Sequence, residues 1–181
     1  MTVGQSITEA LRAVERRKAK AGTSQEVRSS ATQRRVRVGQ LLESVQLPGS
    51  RADDLPGALS CGQRQRVALA RALAADPAFI LADEITSALD VSVQGSVLNL
   101  LVELQAEQQF GLLFISHNLA VVRYLCDEVA VIRQGKLVES GLTDQVLQSP
   151  REEYTRQLLA AVPGIGEPLF AGSSNVERTS L

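Results

Sequence analysis

The sequence predicts an α/β fold built on parallel strands, and three observations carry that reading. Two short apolar runs, 79–82 and 112–115, lack any helical period and end in polar residues, as strands buried on both faces do. A long stretch of helical character, 91–108, lies between them, and strand–helix–strand alternation argues for a parallel sheet. The chain has 181 residues of which 44% are hydrophobic, enough for one real core or a smaller core with appendages.

The elements follow in order. The first third is polar and helical. Ser6 and Thr8 are the expected caps of a helix running to about Lys20, with Ile7, Leu11 and Val14 at helical spacing. Residues 21–24 read as a loop, and 25–46 as a second helix with Leu41, Leu42 and Val45 inward, ended by Pro48-Gly49-Ser50. After Pro56 the texture changes. Residues 64–75, rich in Ala, Leu and Arg, predict a strong helix that Asp76-Pro77 stops. The first strand runs into Asp83-Glu84, the 91–108 helix follows, and the second strand runs into Ser116-His117-Asn118. A helix to about Cys126, a strand 128–133, a turn at Gln134-Gly135 and a strand 136–139 come next. Residues 143–148 and 152–161 read as helices separated by Ser149-Pro150, and the Gly, Ser and charge after Pro163 predict disorder. No internal repeat is present.

Formal net charge is −1, so no global field points to nucleic acid. The charge is uneven: between Arg12 and Arg37 nine Lys/Arg face only Glu15 and Glu26. Such a stretch attracts phosphate or anionic lipid, or is simply a solvated helical face; no aromatic residue is interleaved with it for base stacking. Cys61 and Cys126 are far apart and outside any CxxC, which predicts free, reduced thiols and a cytosolic setting. The first eleven residues contain no apolar leader segment, and no run approaches the ~18 apolar residues that span a bilayer.

Three places can carry chemistry. Asp83 and Glu84 stand at the C-terminal end of an apolar strand, where α/β sheets bind ligands. One carboxylate there can hold hydrated magnesium and its neighbour can orient or deprotonate water; the plainer reading is a strand end capped by acids. His117, the one histidine, follows the second strand and can donate to a phosphate oxygen, or is an ordinary loop histidine. Ser60-Cys61-Gly62-Gln63 precedes a helix, whose first-turn N–H groups attract phosphate; the plainer reading is an N-cap at Ser60.

Their order and spacing tell more. LSCGQRQRVALARAL from Leu59, FILADE from Phe79, SALD at 87–90 and SH at 116–117 resemble, step for step, the ATP-hydrolysing domains of ABC transporters. LSCGQ is similar to the LSGGQ signature, FILADE to the Walker B strand, SALD to the D-loop and His117 to the switch histidine. The likeness is dense over 59–140. TSALDVSVQ, ISHNLAVVRYLCDEVAVIRQGKLVESG and SPREEYTRQLLAAVPG resemble further the subgroup of dipeptide, oligopeptide and nickel importers, although Glu152-Glu153 stand where that subgroup often has His-Pro.

The resemblance implies a truncated P-loop NTPase core with a helical subdomain at 1–76, the C-terminal half of the ATPase core at 77–140, and a family extension at 141–181 with a disordered end. It implies ATP and Mg²⁺ as cofactors, with Asp83 as the metal residue and Glu84 and His117 as catalytic residues. It implies Leu59, Ser60, Cys61, Gly62, Gln63 and Asp90 as cofactor-binding residues, with Ser60, Gly62 and Gln63 expected to reach the nucleotide of the opposite domain and Asp90 expected at the dimer seam. The implied partners are a second ABC ATPase domain, identical or not, and membrane-spanning permease subunits; nucleic acid is not among them. The implied place is the cytoplasmic face of the membrane, peripherally. Cys61, where glycine is usual, is expected to weaken the shared site by its bulk and its lost φ freedom. No GxxxxGK[ST] and no glutamine loop occur in these residues, so no nest for the β-phosphate is expected within them. That leaves two readings: an importer ATPase that couples hydrolysis to peptide uptake, or a catalytically incomplete module that regulates an intact ATPase. The DNA-repair branch of the same ATPases carries long coiled coils or zinc-binding cysteine pairs, and neither occurs here.

Overall fold

The computed structural model describes residues 1–20, 29–87 and 89–161. They form two compact units, Met1–Leu113 and Phe114–Leu181, drawn by packing; the division falls inside a strand, whereas the sequence segments at 1–76, 77–140 and 141–181 follow motifs.

The first unit opens with α1 (Val3–Lys20). Its cap is not Ser6 or Thr8 but Thr2: Gln5 N–H donates to Thr2 Oγ1 at 3.3 Å and Thr2 N–H to Gln5 Oε1 at 2.8 Å. Ser6 is buried and donates to Val3 O, having turned inward to bond its own helix. The expected loop at 21–24 lies outside the described residues. Residues 25–28 of the expected second helix also lie outside the described residues; α2 (Ala31–Ser44) starts where Ser30 and Gln33 close a reciprocal capping box. Leu41, Leu42 and Val45 are buried as predicted, beside Val3 and Ile7. The chain leaves α2 through Gln46 in the left-handed region, φ 59°, and makes a 3-10 turn at Gly49–Asp53. That turn packs on both helices. Val3 N–H donates to Asp54 O at 2.9 Å, and a Cβ on Gly4 would stand 2.9 Å from Ala52 O, so only glycine fits α1 this close.

α3 (Cys61–Leu73) presents Val67, Ala70 and Leu73 inward and ends before Asp76, whose φ of 49° reverses the chain before Pro77. β1 (Phe79–Asp83) follows, and then α4 (Val91–Gln108), which buries Val97, Leu98, Leu100, Leu101 and Leu104. Each of those leucines contributes roughly 2 kcal/mol by leaving water. α4 closes at Gln109, φ 54°, and β2 (Gly111–Ile115) begins at once. β1 and β2 are hydrogen-bonded neighbours, with Gly111 N–H donating to Ala78 O at 2.9 Å. The two strands meet start to start, so they run parallel, joined by the α4 crossover.

One expectation is corrected here. β1 is not buried on both faces: Ile80 and Ala82 are, but Phe79 and Leu81 are 58% and 60% exposed. β2 alternates likewise, with Leu113 and Ile115 half exposed. An unbroken apolar run does not say how many layers cover it.

The second unit holds α5 (Leu119–Leu125), β3 (Glu128–Arg133), β4 (Lys136–Leu142), α6 (Thr143–Gln148) and α7 (Glu153–Ala160). β3 and β4 form an antiparallel hairpin whose turn has φ 50° at Gln134 and 76° at Gly135, the primed geometry that matches strand twist. The register shifts between Val131 and Ile132, and β4 runs to Leu142, beyond the expected Glu139, because it pairs with β3 as far back as Glu128. The residues after Pro163 lie outside the described ones.

Candidate functional site

The chemistry predicted for 83–90 begins at the C-terminal end of β1. Asp83 is the last strand residue and Glu84 the first beyond it; both are exposed. Glu84 has φ +45°, a left-handed conformation uncommon outside glycine and asparagine. A small bonded turn holds it there. Ser87 donates to Glu84 O twice, by its N–H at 3.1 Å and its Oγ at 2.9 Å, and Leu89 N–H donates to Thr86 O at 3.2 Å. Two amide side chains tie the turn down from outside. Gln65 Nε2, on α3, donates to Ile85 O; Gln94 Nε2, on α4, donates to the Oγ1 of buried Thr86 at 3.3 Å. Asp90 then caps α4, accepting Val93 N–H at 2.9 Å and the Ser92 hydroxyl at 2.8 Å. Those donors, Val93 N–H foremost, hold its carboxyl below the usual range.

The segment 59–63 is equally ordered by local chemistry. Leu59 is buried; Ser60 caps α3, accepting Gln63 N–H at 3.3 Å while its own N–H donates to Gln63 Oε1 at 2.9 Å. This reciprocal pair engages the carbonyl end of Gln63 and leaves the amide end as its donor. Gly62 is buried against α4: a Cβ there would lie 2.5 Å from Val93 Cγ1. The glycine is thus needed for close approach and not for a positive φ. The same applies next door. Cys61 is exposed and helical without a positive φ, so the expected loss of φ freedom does not arise; only the added bulk at the surface remains.

Ser60, Cys61, Gly62, Gln63, Asp83, Glu84 and Asp90 therefore belong to one compact unit, in which the first turns of α3 and α4 touch each other and the turn after β1. His117 belongs to the other unit. It is exposed in the turn leading to α5, where Ser116 Oγ accepts Asn118 N–H at 3.0 Å and Asn118 caps the helix through Ala120 and Val121.

The donor set fits magnesium held with phosphate. Among the described residues no group of three or more His, Cys, Asp or Glu could cage a metal ion. Magnesium bound with nucleotide keeps several waters and takes one or two carboxylates, which Asp83 can supply. The N-terminus of α3, with a serine hydroxyl and first-turn amides, is likewise chemistry that suits phosphate. Sequence reasoning missed Gln65, Gln94 and Thr86. The signal was faint: two glutamines on helices, each four or five residues past a cap, whose partners appear only once α3 and α4 pack.

Comparison with known proteins points to one family. Residues 3–87 match the family described as ABC transporter. The protein named "Probable D,D-dipeptide transport ATP-binding protein DdpF" of Escherichia coli (strain K12) is 49% identical over 142 residues, 78% of this chain and 46% of that protein. The oligopeptide transport ATP-binding protein OppF of Bacillus subtilis (strain 168) is 49% identical over 131 residues, 72% of this chain and 43% of that protein. The chain thus spans less than half the length of these curated relatives. Among solved structures, an ATP-binding cassette captured as a dimer in a post-hydrolysis state with ADP and Pi is 31% identical, with a TM-score of 0.57 over 74% of this chain and 56% of that one. With an α/β fold, segments that resemble the signature, Walker B and D-loop in order, and relatives at this identity, the chain is similar to part of the ATP-binding subunits of the ABC transporter family.

Proposed function

We propose that this chain is the signature-bearing and Walker B-bearing part of an ATP-hydrolysing subunit that powers peptide import. The observation that carries the reading is the single packed unit in which the α3 cap, the Asp83-Glu84 strand end and the Asp90 cap are joined by direct contacts. Asp83 would hold magnesium, which would offset phosphate charge when bound. Glu84 takes a proton from the water that attacks the γ-phosphate. His117 donates to that phosphate, which lets it report whether the phosphate is present. Ser60, Gly62 and Gln63 serve the nucleotide of a second ATPase domain, and closing that sandwich shifts the membrane-spanning partners between two states. The names of the relatives supply the substrate class: they are transport proteins for dipeptides and oligopeptides.

A second reading has its own observation: no GxxxxGK[ST] occurs in these 181 residues. A protein consisting of this chain alone would dock on an intact ATPase and present only its signature face. The intact mass of the native gene product separates the two. A mass well above 19.4 kDa, with extra N-terminal peptides containing GxxxxGK[ST], supports the ATPase. In that product Glu84→Gln should then lower ATP turnover roughly 10²–10⁴-fold, the usual worth of a positioned base. A native mass of 19.4 kDa, with the chain altering the turnover of a complete subunit in trans, supports the regulator and overturns the first reading.

A further inference from the structure

Glu84 can act as a base only if its backbone stays where β1 delivers it, and its backbone is in a region that a glutamate does not choose by itself, φ +45°. The turn's own bonds, from Ser87 and Leu89, close it but do not attach it to anything. Attachment comes from two helices. On one side the Gln65 amide reaches from the second turn of α3 to the carbonyl of Ile85. On the other, the Gln94 amide reaches from the first turn of α4 to the hydroxyl of Thr86, which is 4% exposed. The two residues gripped are adjacent, and they directly follow Glu84. The same two helices meet at Gly62 and Val93, where no room exists for even one extra methyl group.

We propose that Gln65 and Gln94 are positioning residues that clamp the backbone after Glu84 from the signature helix and from the helix capped by Asp90, so that the carboxylate and the signature turn move as one piece. The proposal rests on the reading of Glu84 as the base. It gives the signature segment a second role. Besides facing the nucleotide of another domain, its helix fixes the general base of its own.

The two clamps differ in chemistry, and the difference makes them testable. Ile85 offers a carbonyl, which can only accept. A Gln65→Glu carboxylate would face it oxygen to oxygen and the bond is lost. Thr86 offers a hydroxyl, which can also donate. A Gln94→Glu carboxylate would accept that proton and the bond is kept. The first measurement is amide exchange at Ser87 and Leu89 in the 181-residue chain. Exchange should rise roughly fivefold in Gln65→Glu, Gln65→Leu and Gln94→Leu, the scale of one net hydrogen bond, and stay near wild type in Gln94→Glu. Ala70 and Leu101, in the middle of α3 and α4, report whether the fold as a whole has loosened; they should not change. Unchanged turn exchange in the Gln65 variants, or like behaviour of the two glutamine-to-glutamate variants, overturns the clamp.

The second measurement is ATP turnover by the native gene product assembled with its partners. Turnover should fall in Gln65→Glu, with KM for ATP little altered, and survive in Gln94→Glu. If Glu84→Gln abolishes turnover while Gln65→Glu leaves it whole, the positioning role is wrong and the base reading stands. If Glu84→Gln itself leaves turnover whole, the base reading is what has failed and the proposal goes with it.

Discussion

Gly62 is one residue at which the sequence resemblance and the packing answer different questions. The family pattern calls for glycine where a phosphate approaches, but in this structure the nearest constraint on Gly62 is hydrocarbon: Val93 Cγ1 would stand 2.5 Å from any Cβ. The Val93 side chain would have to move to admit one. Gly62→Ala should therefore destabilise the first unit by about 1–3 kcal/mol, the usual range for overpacking. Urea unfolding would show it as a lower midpoint. An unchanged midpoint would mean that Val93 yields without cost. Cys61, one position earlier, is exposed and has room, so its departure from the family pattern is a matter of the surface it presents and not of folding.

At the level of elements, short polar side chains decide where most helices start. Thr2, Ser30, Ser60, Asp90 and Asn118 each cap one, and each accepts a first-turn amide. α7 is different. Its N-cap residue, Glu152, makes no cap bond by its side chain. Glu139, across on β4, accepts the N–H groups of Arg151 at 2.8 Å and Glu152 at 3.2 Å and so caps the helix at a distance. The Arg151 amide, first among these partners, holds the Glu139 carboxyl below its ordinary value of 4.5. A carboxyl depressed by folding stabilises the native state above its unfolded pKa, and that contribution fades as pH falls through the lower folded value. The start of α7 should accordingly be constant from neutral pH down to about 4.5 and loosen only below it. Amide exchange of Arg151 and Glu152 against pH tests this, and Glu139→Ala should show the loosened state already at about pH 7. Protection in that variant equal to wild type would show that α7 is held by its apolar side alone.

At the level of the molecule, the described residues form two packed units and contain no helix long and apolar enough to cross a membrane. On the proposed importer reading, the chain is expected to be held at the bilayer by other subunits. Carbonate washing of membranes should release it while spanning subunits stay in the pellet. Retention after carbonate would mean that a segment of the protein enters the bilayer. The fold lies open on one side of β1, where Phe79 and Leu81 face outward.

What the sequence determined by itself is what local chemistry dictates. Hydrophobic periodicity and capping residues set the long helices, and α4 runs over the predicted 91–108 because Asp90 caps one end and the left-handed Gln109 closes the other. Turn chemistry placed the β3–β4 reversal at Gln134-Gly135. The order of the motifs identified the family, since that information lies along the chain. Tertiary structure decided what depends on neighbours distant in sequence. The two-sided burial expected of β1 failed because exposure depends on which layers cover a strand, not on the strand's own residues. The start of α2 at Ala31 follows from the Ser30–Gln33 capping box. Gly62's partner, the glutamine clamps on Ile85 and Thr86, and the distant cap of α7 are all meetings between separate elements. No period or motif encodes them, because they exist only where two packed surfaces bring a donor to an acceptor.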